Sequence, residues 1–167
     1  MKGAMETLTE YADRRERAAD DVLCLPFERR QKTRQRARLQ SGREVAVILP
    51  RGIVMRGGYC LGAESGLVVL IESALEAVSV VNCDDPTSLA RAAYHLGNRH
   101  ISVEVGELSL SYLQDHVLDD MVRGFDLAVS HELRPFEPEA GAYDAQGHSH
   151  GSESLDRLDD YPGSGHG

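Results

Sequence analysis

The chain has 167 residues, a formal net charge of −9 and a sequence pI near 5.2. This length allows one domain or two small ones with a buried core. The acidic balance argues against a general nucleic-acid binder, because such a protein needs a basic face to displace counterions. We therefore expect no nucleic-acid partner.

The cysteines and the amino terminus predict a protein of the cytoplasm. Cys24, Cys60 and Cys83 are widely spaced and form no Cys-x-x-Cys pair. An odd number of cysteines without a secretory signal is typical of reduced thiols. The first residues lack the apolar run of a signal peptide, and no stretch approaches the roughly 20 apolar residues that span a bilayer. We expect a soluble protein that has no membrane partner.

The first half of the chain predicts a small, mostly β domain. Residues 1–22 are polar, which predicts a short helix or a frayed end. Short alternating runs then extend from Arg36 to Ile71, with Ser41-Gly42 as a tight turn. A basic cluster can mark a docking face, although a solvated strand edge is the simpler interpretation. The cluster consists of Arg29, Arg30, Lys32, Arg34, Arg36, Arg38 and Arg43.

The second half predicts a ferredoxin-like domain with the order βαββαβ. Asp85 and Pro86 are expected to start the first helix and Gly97 to stop it. Asp115 is expected to cap the second helix. The strands are predicted over Ala77–Val81, His100–Val105, Leu108–Leu113 and Leu127–Leu133, by alternation of apolar residues.

The hydrophobic pattern fades near the carboxyl end, which predicts a disordered, acidic, histidine-containing tail. The predicted fold is therefore α+β. It has an amino-terminal β-rich domain (1–73), a ferredoxin-like domain (74–143) and a flexible tail (144–167).

Two histidines at the end of the first long helix are the strongest candidates for a binding site. His95 lies away from the apolar stripe of the helix, so we expect it to point to solvent or to a partner, and a solvated polar residue without a ligand is an equally good interpretation. His100 follows the helix and is expected to share a strand face with Ser102 and Glu104. Imidazole is the side chain that nickel, copper and zinc prefer.

Two further histidines have simpler interpretations. His116 lies four residues before Asp120, so the carboxylate could orient the ring toward a metal or form a surface pair, and the surface pair is favoured. His131 alternates in phase with Val129 and Leu133, which predicts a core or interface histidine. The acids near the second helix start, Asp115, Asp119 and Asp120, are explained by the helix dipole.

The tail adds His148 and His150, which flank a serine between two glycines. One fixed imidazole and one or two mobile ones are too few for a closed structural zinc site. An undersized site that a second copy of the chain completes suits capture and release. We find no His-Glu-x-x-His, Gly-x-Ser-x-Gly or phosphate-loop motif, so we do not expect an enzyme.

Several motifs resemble the UreE family of urease accessory proteins. They run through most of residues 23–150 in the family's order. The motifs are Phe27-Glu28-Arg29-Arg30-Gln31-Lys32-Thr33-Arg34, Ala93-Tyr94-His95-Leu96-Gly97-Asn98-Arg99-His100, Asp115-His116-Val117-Leu118-Asp119-Asp120-Met121-Val122 and Pro135-Phe136-Glu137-Pro138-Glu139-Ala140-Gly141-Ala142-Tyr143.

The resemblance implies a nickel metallochaperone of urease maturation. It implies a homodimer in which His100 binds Ni(II) jointly with its dimer mate. His148 and His150 match tail ligands that complete the coordination, and His95 and His116 match peripheral positions that bind metal in some members. The implied partners are the urease apoprotein and its assembly complex with a GTPase component. Zn(II) or Cu(II) are expected to bind such a site as well.

Two other functions have weaker support from the sequence. An RNA-binding ferredoxin-like module fits the basic cluster, but it needs aromatic residues on its strand faces to stack bases. A metal-dependent hydrolase needs three protein ligands, an open position and a base, which the motifs do not supply.

Overall fold

The computed structural model describes residues 5–12 and 18–140, which form ten strands and three helices. The strands are β1 (Glu6–Ala12), β2 (Asp21–Leu25), β3 (Arg34–Arg38), β4 (Glu44–Ile48), β5 (Cys60–Ala63), β6 (Val68–Ser73), β7 (Leu75–Asn82), β8 (Glu104–Val105), β9 (Ser109–Leu113) and β10 (Val129–Pro135). The helices are α1 (Phe27–Arg30), α2 (Pro86–Gly97) and α3 (His116–Arg123). Within these residues, none of the helices has the length and apolar character needed to cross a bilayer.

The amino-terminal half is a six-stranded sheet with the order β2-β6-β5-β1-β4-β3. Strand β1 pairs in parallel with β4 and β2 pairs in parallel with β6, while the other neighbours are antiparallel. Alternate side chains such as Leu8, Val45 and Val47 are fully buried in one core. The prediction of a mostly β domain is confirmed.

The prediction for residues 1–22 is wrong where the structure describes them. Strand β1 lies inside the sheet, between β5 and β4, and is neither a short helix nor a frayed end. Its polar side chains alternate around Leu8, which is fully buried.

The carboxyl-terminal half is a four-stranded antiparallel sheet with the order β10-β7-β9-β8. The chain order β7-α2-β8-β9-α3-β10 and this strand order are those of a ferredoxin-like domain, so that prediction is confirmed. The Asp85 carboxylate accepts hydrogen bonds from the Thr87 and Ser88 N–H groups, as a helix cap should. Asp115 caps α3 in the same way.

The segment between α2 and β9 differs from its prediction. Strand β8 contains only Glu104 and Val105, so His100 lies in a turn and does not share a strand face with Glu104. Helix α2 ends at Gly97 as predicted, but Asn98 keeps a right-handed helical conformation. The chain reverses at His100, which has a φ of 57°.

The two sheets meet through one apolar cluster. The face of β7 that carries Val81 packs on α2, and the opposite face carries Val78 and Val80. These two valines pack against Phe27 and Phe136, whose rings make an edge-to-face contact with centroids 5.5 Å apart.

The domain limits at 73 and 143 stay predictions, and the tail predicted for 144–167 lies outside the described residues.

Candidate metal-binding site

The fold fixes the backbone of His100 and leaves its imidazole free. The His100 N–H donates to the Gly97 carbonyl oxygen at 2.9 Å, which closes the turn after α2. The side chain is exposed and has no hydrogen bond or ion pair with the described part of the chain. A non-glycine residue with positive φ costs free energy, about 1–3 kcal/mol, and such residues cluster at functional sites.

His100 lines an open cleft of about 490 Å³ between the two halves of the molecule. Phe27, Gln31 and Val54 form the wall from the amino-terminal half. Ala140, the last described residue, lines the same cleft. The Glu139 N–H donates to the Val103 carbonyl oxygen at 2.9 Å, which holds the end of the described chain beside the turn of His100. The segment 141–167 therefore follows a residue that lines the same cleft as His100.

Arg30 and Glu137 lock the segment that leads to the tail. Arg30 is fully buried, so the interpretation of the basic cluster as a solvated strand edge is wrong for this residue. Its guanidinium donates to the carbonyl oxygens of Leu25, Met55 and Phe136 and lies 2.8 Å from Glu137 Oε1. Burial raises the pKa of Glu137, but hydrogen bonds from Ser73 and Gly57 and the charge of Arg30 outweigh it, so this pKa is lowered overall.

His95 is not the solvent-facing side chain that the helical pattern predicts. Its ring is half-buried and stacks on Phe125, with centroids 4.6 Å apart and planes 27° from parallel. Tyr94 contacts the same ring edge-to-face. The apolar stripe of α2 did not reveal this contact because Phe125 lies beyond the end of α3.

His116 is exposed at the first residue of α3, and its surroundings differ from the expected pair. The Asp120 carboxylate accepts a hydrogen bond from Arg123 at 3.1 Å, and in the described residues His116 has no ion pair with it. His116 is therefore accessible but has no carboxylate to orient its ring.

Sequence reasoning missed the role of Asp119, which is buried and not a surface acid of the helix start. Its Oδ1 accepts from the Ser79 hydroxyl at 2.6 Å and from the Tyr112 hydroxyl at 2.9 Å, and its Oδ2 lies 2.7 Å from His131 Nε2. Burial raises the pKa of Asp119, but these hydrogen bonds outweigh it and lower this pKa overall. Burial and the Asp119 hydrogen bond raise the pKa of Tyr112.

His131 is exposed on β10, so the core alternative of its prediction is wrong, while the interface alternative stays a prediction. Its ring is satisfied by the Asp119 carboxylate. The alternation of apolar residues in β10 does not indicate a buried face, because Leu133 of the same strand is itself 68% exposed. A hydrogen bond to a carboxylate engages His131 Nε2, whereas both ring nitrogens of His100 stay available.

The described residues offer the free imidazole of His100 but no complete metal site. No group of three or more His, Cys, Asp or Glu side chains in 5–12 and 18–140 is arranged to hold a metal ion. His148 and His150 lie outside the described residues. A metal at His100 therefore needs ligands from the tail, from a second copy of the chain, or from both.

Two family models match the chain. The N-terminal domain of the UreE urease accessory protein matches residues 3–74, and its C-terminal domain matches residues 76–166. The β-rich and ferredoxin-like halves of the structure correspond to these two matches. The class defined by this architecture is that of a two-domain accessory protein and not of a catalytic enzyme.

Curated relatives are similar to this chain along most of their length. A urease accessory protein UreE from Alkalilimnicola ehrlichii is 55% identical over 139 residues, which cover 83% of this chain and 85% of the relative. Those from an Enterobacter species and from Citrobacter koseri are 48% and 51% identical and cover 95% and 88% of the relatives, over 87% and 80% of this chain. The chain belongs to the UreE family of urease accessory proteins, and its role is in urease maturation.

Proposed function

We propose that the chain binds Ni(II) as cargo in a homodimer and delivers it to the urease apoprotein while the urease active site is assembled. His100 of each protomer supplies an imidazole to one shared ion at the dimer interface. His148 and His150 of the tail complete the coordination. His95 and His116 are peripheral ligands.

The observation that carries the proposal is the free imidazole of His100. The turn holds its backbone in an uncommon conformation, and the described residues leave its ring without a partner. A single imidazole binds a divalent ion weakly, so two copies of the same turn are the simplest way to add a second ligand. Such an open site releases its ion more readily than a closed four-ligand site.

The tail is long enough to reach this ion. Eight residues separate Ala140 in the cleft from His148, and a fully extended segment of that length spans at most about 29 Å. Because the tail starts in the cleft that His100 lines, its imidazoles stay close to the ion at a high effective concentration.

The peripheral ligands differ in accessibility. His116 is exposed and can turn toward an ion, whereas His95 must first leave its stack on Phe125. We therefore rank His116 above His95 as a peripheral ligand.

Zn(II) and Cu(II) as cargo have no support from the relatives, whose names refer to urease alone.

Delivery requires partners. The relatives are named for urease, so the urease apoprotein and its assembly complex, including a GTPase component, are the proposed recipients. The cytoplasm is the proposed location of this transfer, and neither nucleic acid nor a membrane takes part in it.

The RNA-binding alternative has no support from the fold. A ferredoxin-like RNA-binding module stacks bases on the face of the sheet that is not covered by its helices. Here that face carries Val78 and Val80 and is packed against Phe27 and Phe136 of the domain junction.

Calorimetric titration of Ni(II) into the full chain tests the proposal. His100→Ala should abolish the tight binding of about one ion per dimer, because both central ligands disappear together. His166→Ala is the matched control, since it removes an imidazole from the same tail but should leave the titration unchanged. Tight binding that survives in His100→Ala would contradict the assigned site.

A further inference from the structure

The basic cluster of the amino-terminal domain borders a groove between the two edges of the six-stranded sheet. Strands β2 and β3 are the outermost strands, and the sheet curls so that they approach each other. The turn that follows β3 contacts β2, since the Gln40 N–H donates to the Val22 carbonyl oxygen at 2.9 Å. Beyond that contact the two strands separate and leave a groove of about 380 Å³ beside Cys24 and Ala37.

The groove is positively charged in a chain of net charge −9. Arg29, Arg36 and Arg38 line it, and the acid among its lining residues is Glu44, which lies 3.2 Å from Arg38. The side chain of Arg29 is fixed, since it donates to Gln35 Oε1 at 2.6 Å and to the Arg36 carbonyl oxygen at 2.8 Å. A guanidinium held in this way binds a carboxylate with little further loss of side-chain entropy.

The groove and the His100 cleft lie on two sides of helix α1. Phe27 and Gln31 line the cleft, whereas Pro26 and Arg29 line the groove. The chain leaves the described residues at Ala140 in the cleft, on the other side of this one-turn helix from Arg29.

The tail has the opposite charge. Residues 141–167 contain five acidic residues and one basic residue, and four of the acids lie in Glu153–Asp160. Leu155 and Leu158 stand among these acids. Sixteen residues separate Ala140 from Asp156, and a segment of that length reaches at most about 58 Å.

We propose that the acidic segment 153–160 of the chain's own tail docks in the groove between β2 and β3, where its carboxylates pair with Arg29, Arg36 and Arg38. The reach, the opposite charges and the starting point in the neighbouring cleft favour this occupant over an acidic segment of another protein. A tethered segment acts at an effective concentration of about millimolar, which allows weak ion pairs to hold it.

Docking has a consequence for the proposed nickel site, on which this part of the inference rests. His148 lies eight residues from Ala140 and eight from Asp156. With both ends held on the two sides of α1, His148 and His150 stay near the cleft of His100. The groove thus keeps the tail imidazoles where the shared ion needs them.

The exposed thiol of Cys24 reports on docking directly, because it lines the groove while Cys60 and Cys83 are buried. We would measure the alkylation rate of Cys24 by iodoacetamide, a neutral reagent, in the full chain without metal. Asp156→Asn, Asp159→Asn and Asp160→Asn together should increase the rate about threefold or more, since the tethered segment no longer pairs with the arginines. One molar salt should produce a similar increase in the unmodified chain, where the Debye length falls to about 3 Å.

Three further variants exclude a general effect of charge. Glu64→Gln, Asp84→Asn and Glu107→Gln change three exposed acids elsewhere and should leave the rate unchanged. Arg36→Glu with Arg38→Glu should lose the protection, and adding Asp156→Lys, Asp159→Lys and Asp160→Lys should restore it by exchanging the charges.

Equal rates in the unmodified chain and in the tail variant would overturn the proposal, as would an equal increase in the distant-acid variant. Protection that disappears on dilution would assign the contact to another copy's tail and would overturn it too.

Nickel titration separates this inference from the proposed function. The tail-acid variant should bind Ni(II) a fewfold more weakly, whereas His100→Ala should lose tight binding altogether. Protection of Cys24 together with unchanged nickel binding in His100→Ala would refute the nickel site and leave the docked tail standing. Unchanged nickel affinity in the tail-acid variant would refute the link between docking and the site.

Discussion

Polar side chains at the domain junction, where the two sheets meet, have partners within the fold. The polar side chain at the end of α2 does not, within the part of the chain that the structure describes. At the junction, Arg30 is fully buried and makes four hydrogen bonds, one of them to Glu137. At the end of α2, the backbone of His100 is fixed, but its ring has no polar partner in the described residues. The framework of the fold therefore depends on satisfied polar groups, whereas the His100 side chain is left available to a ligand. Changes at the first should affect folding, and changes at the second should affect metal binding.

The largest expected effect on stability comes from the junction. Arg30→Met removes a buried cation and leaves Glu137 and three carbonyl oxygens short of a donor, which should lower the free energy of unfolding by about 3–5 kcal/mol. Urea denaturation measures this loss. Lys32→Met is the control, because it breaks an exposed pair with Glu28 and should change the same quantity by less than about 0.5 kcal/mol. Equal effects of the two variants would contradict the role of Arg30.

Asp119→Asn should have the next largest effect. The amide cannot accept the hydrogen bonds of Ser79, Tyr112 and His131 together, so the free energy of unfolding at pH 7 should fall by about 1–3 kcal/mol. The fold lowers the pKa of Asp119 below its ordinary value of 3.8, so its contribution is complete above that value and is lost as the pH falls through the folded pKa. The free energies of unfolding of the unmodified chain and of the variant should therefore begin to approach each other below about pH 4, in urea titrations from pH 7 to pH 3. A constant difference across this range would contradict the assignment.

His131→Ala should have a smaller effect, about 1 kcal/mol or less, because the ring is 43% exposed and water screens its pair with Asp119. Nickel affinity should not change, since the Asp119 carboxylate engages this ring. His131→Gln retains a donor for Asp119 and should recover most of the stability. Loss of nickel binding in His131→Ala would remove the distinction between an engaged and a free histidine.

His100→Gly should have the smallest effect on stability and can even raise it. Glycine adopts the φ of 57° without steric cost, so the free energy of unfolding should stay equal or rise by up to about 1 kcal/mol. The same variant should lose tight nickel binding. A clear loss of stability would mean that the His100 side chain serves the fold.

The local features of the ferredoxin-like domain could be predicted from sequence because each one needs only neighbouring residues. Asp85 followed by Pro86 starts α2, and the spacing of Leu89, Ala92 and Leu96 marks its buried side. Strand β1 could not be predicted in this way, because its main partners, β4 and β5, lie more than 30 residues away in sequence. This short strand has mostly polar residues around one buried leucine, Leu8, so it is stable only inside the sheet.

The candidate site was predicted in part for the same reason. His100 stands out because it follows a complete helix signal, and the motif around it is specific. The roles of Arg30 and Asp119 depend on which elements cover them, and that is decided by packing between distant segments. A charged residue in a helix start has a simple local explanation, so sequence gave no reason to expect that Asp119 is buried.

The most direct test of the account is the structure of the nickel-loaded dimer, determined by crystallography with anomalous scattering at the nickel edge. We expect one nickel ion on the dimer axis, with an imidazole nitrogen of His100 from each protomer in its coordination sphere. Nickel bound elsewhere, with the two His100 rings apart and turned away from each other, would contradict it.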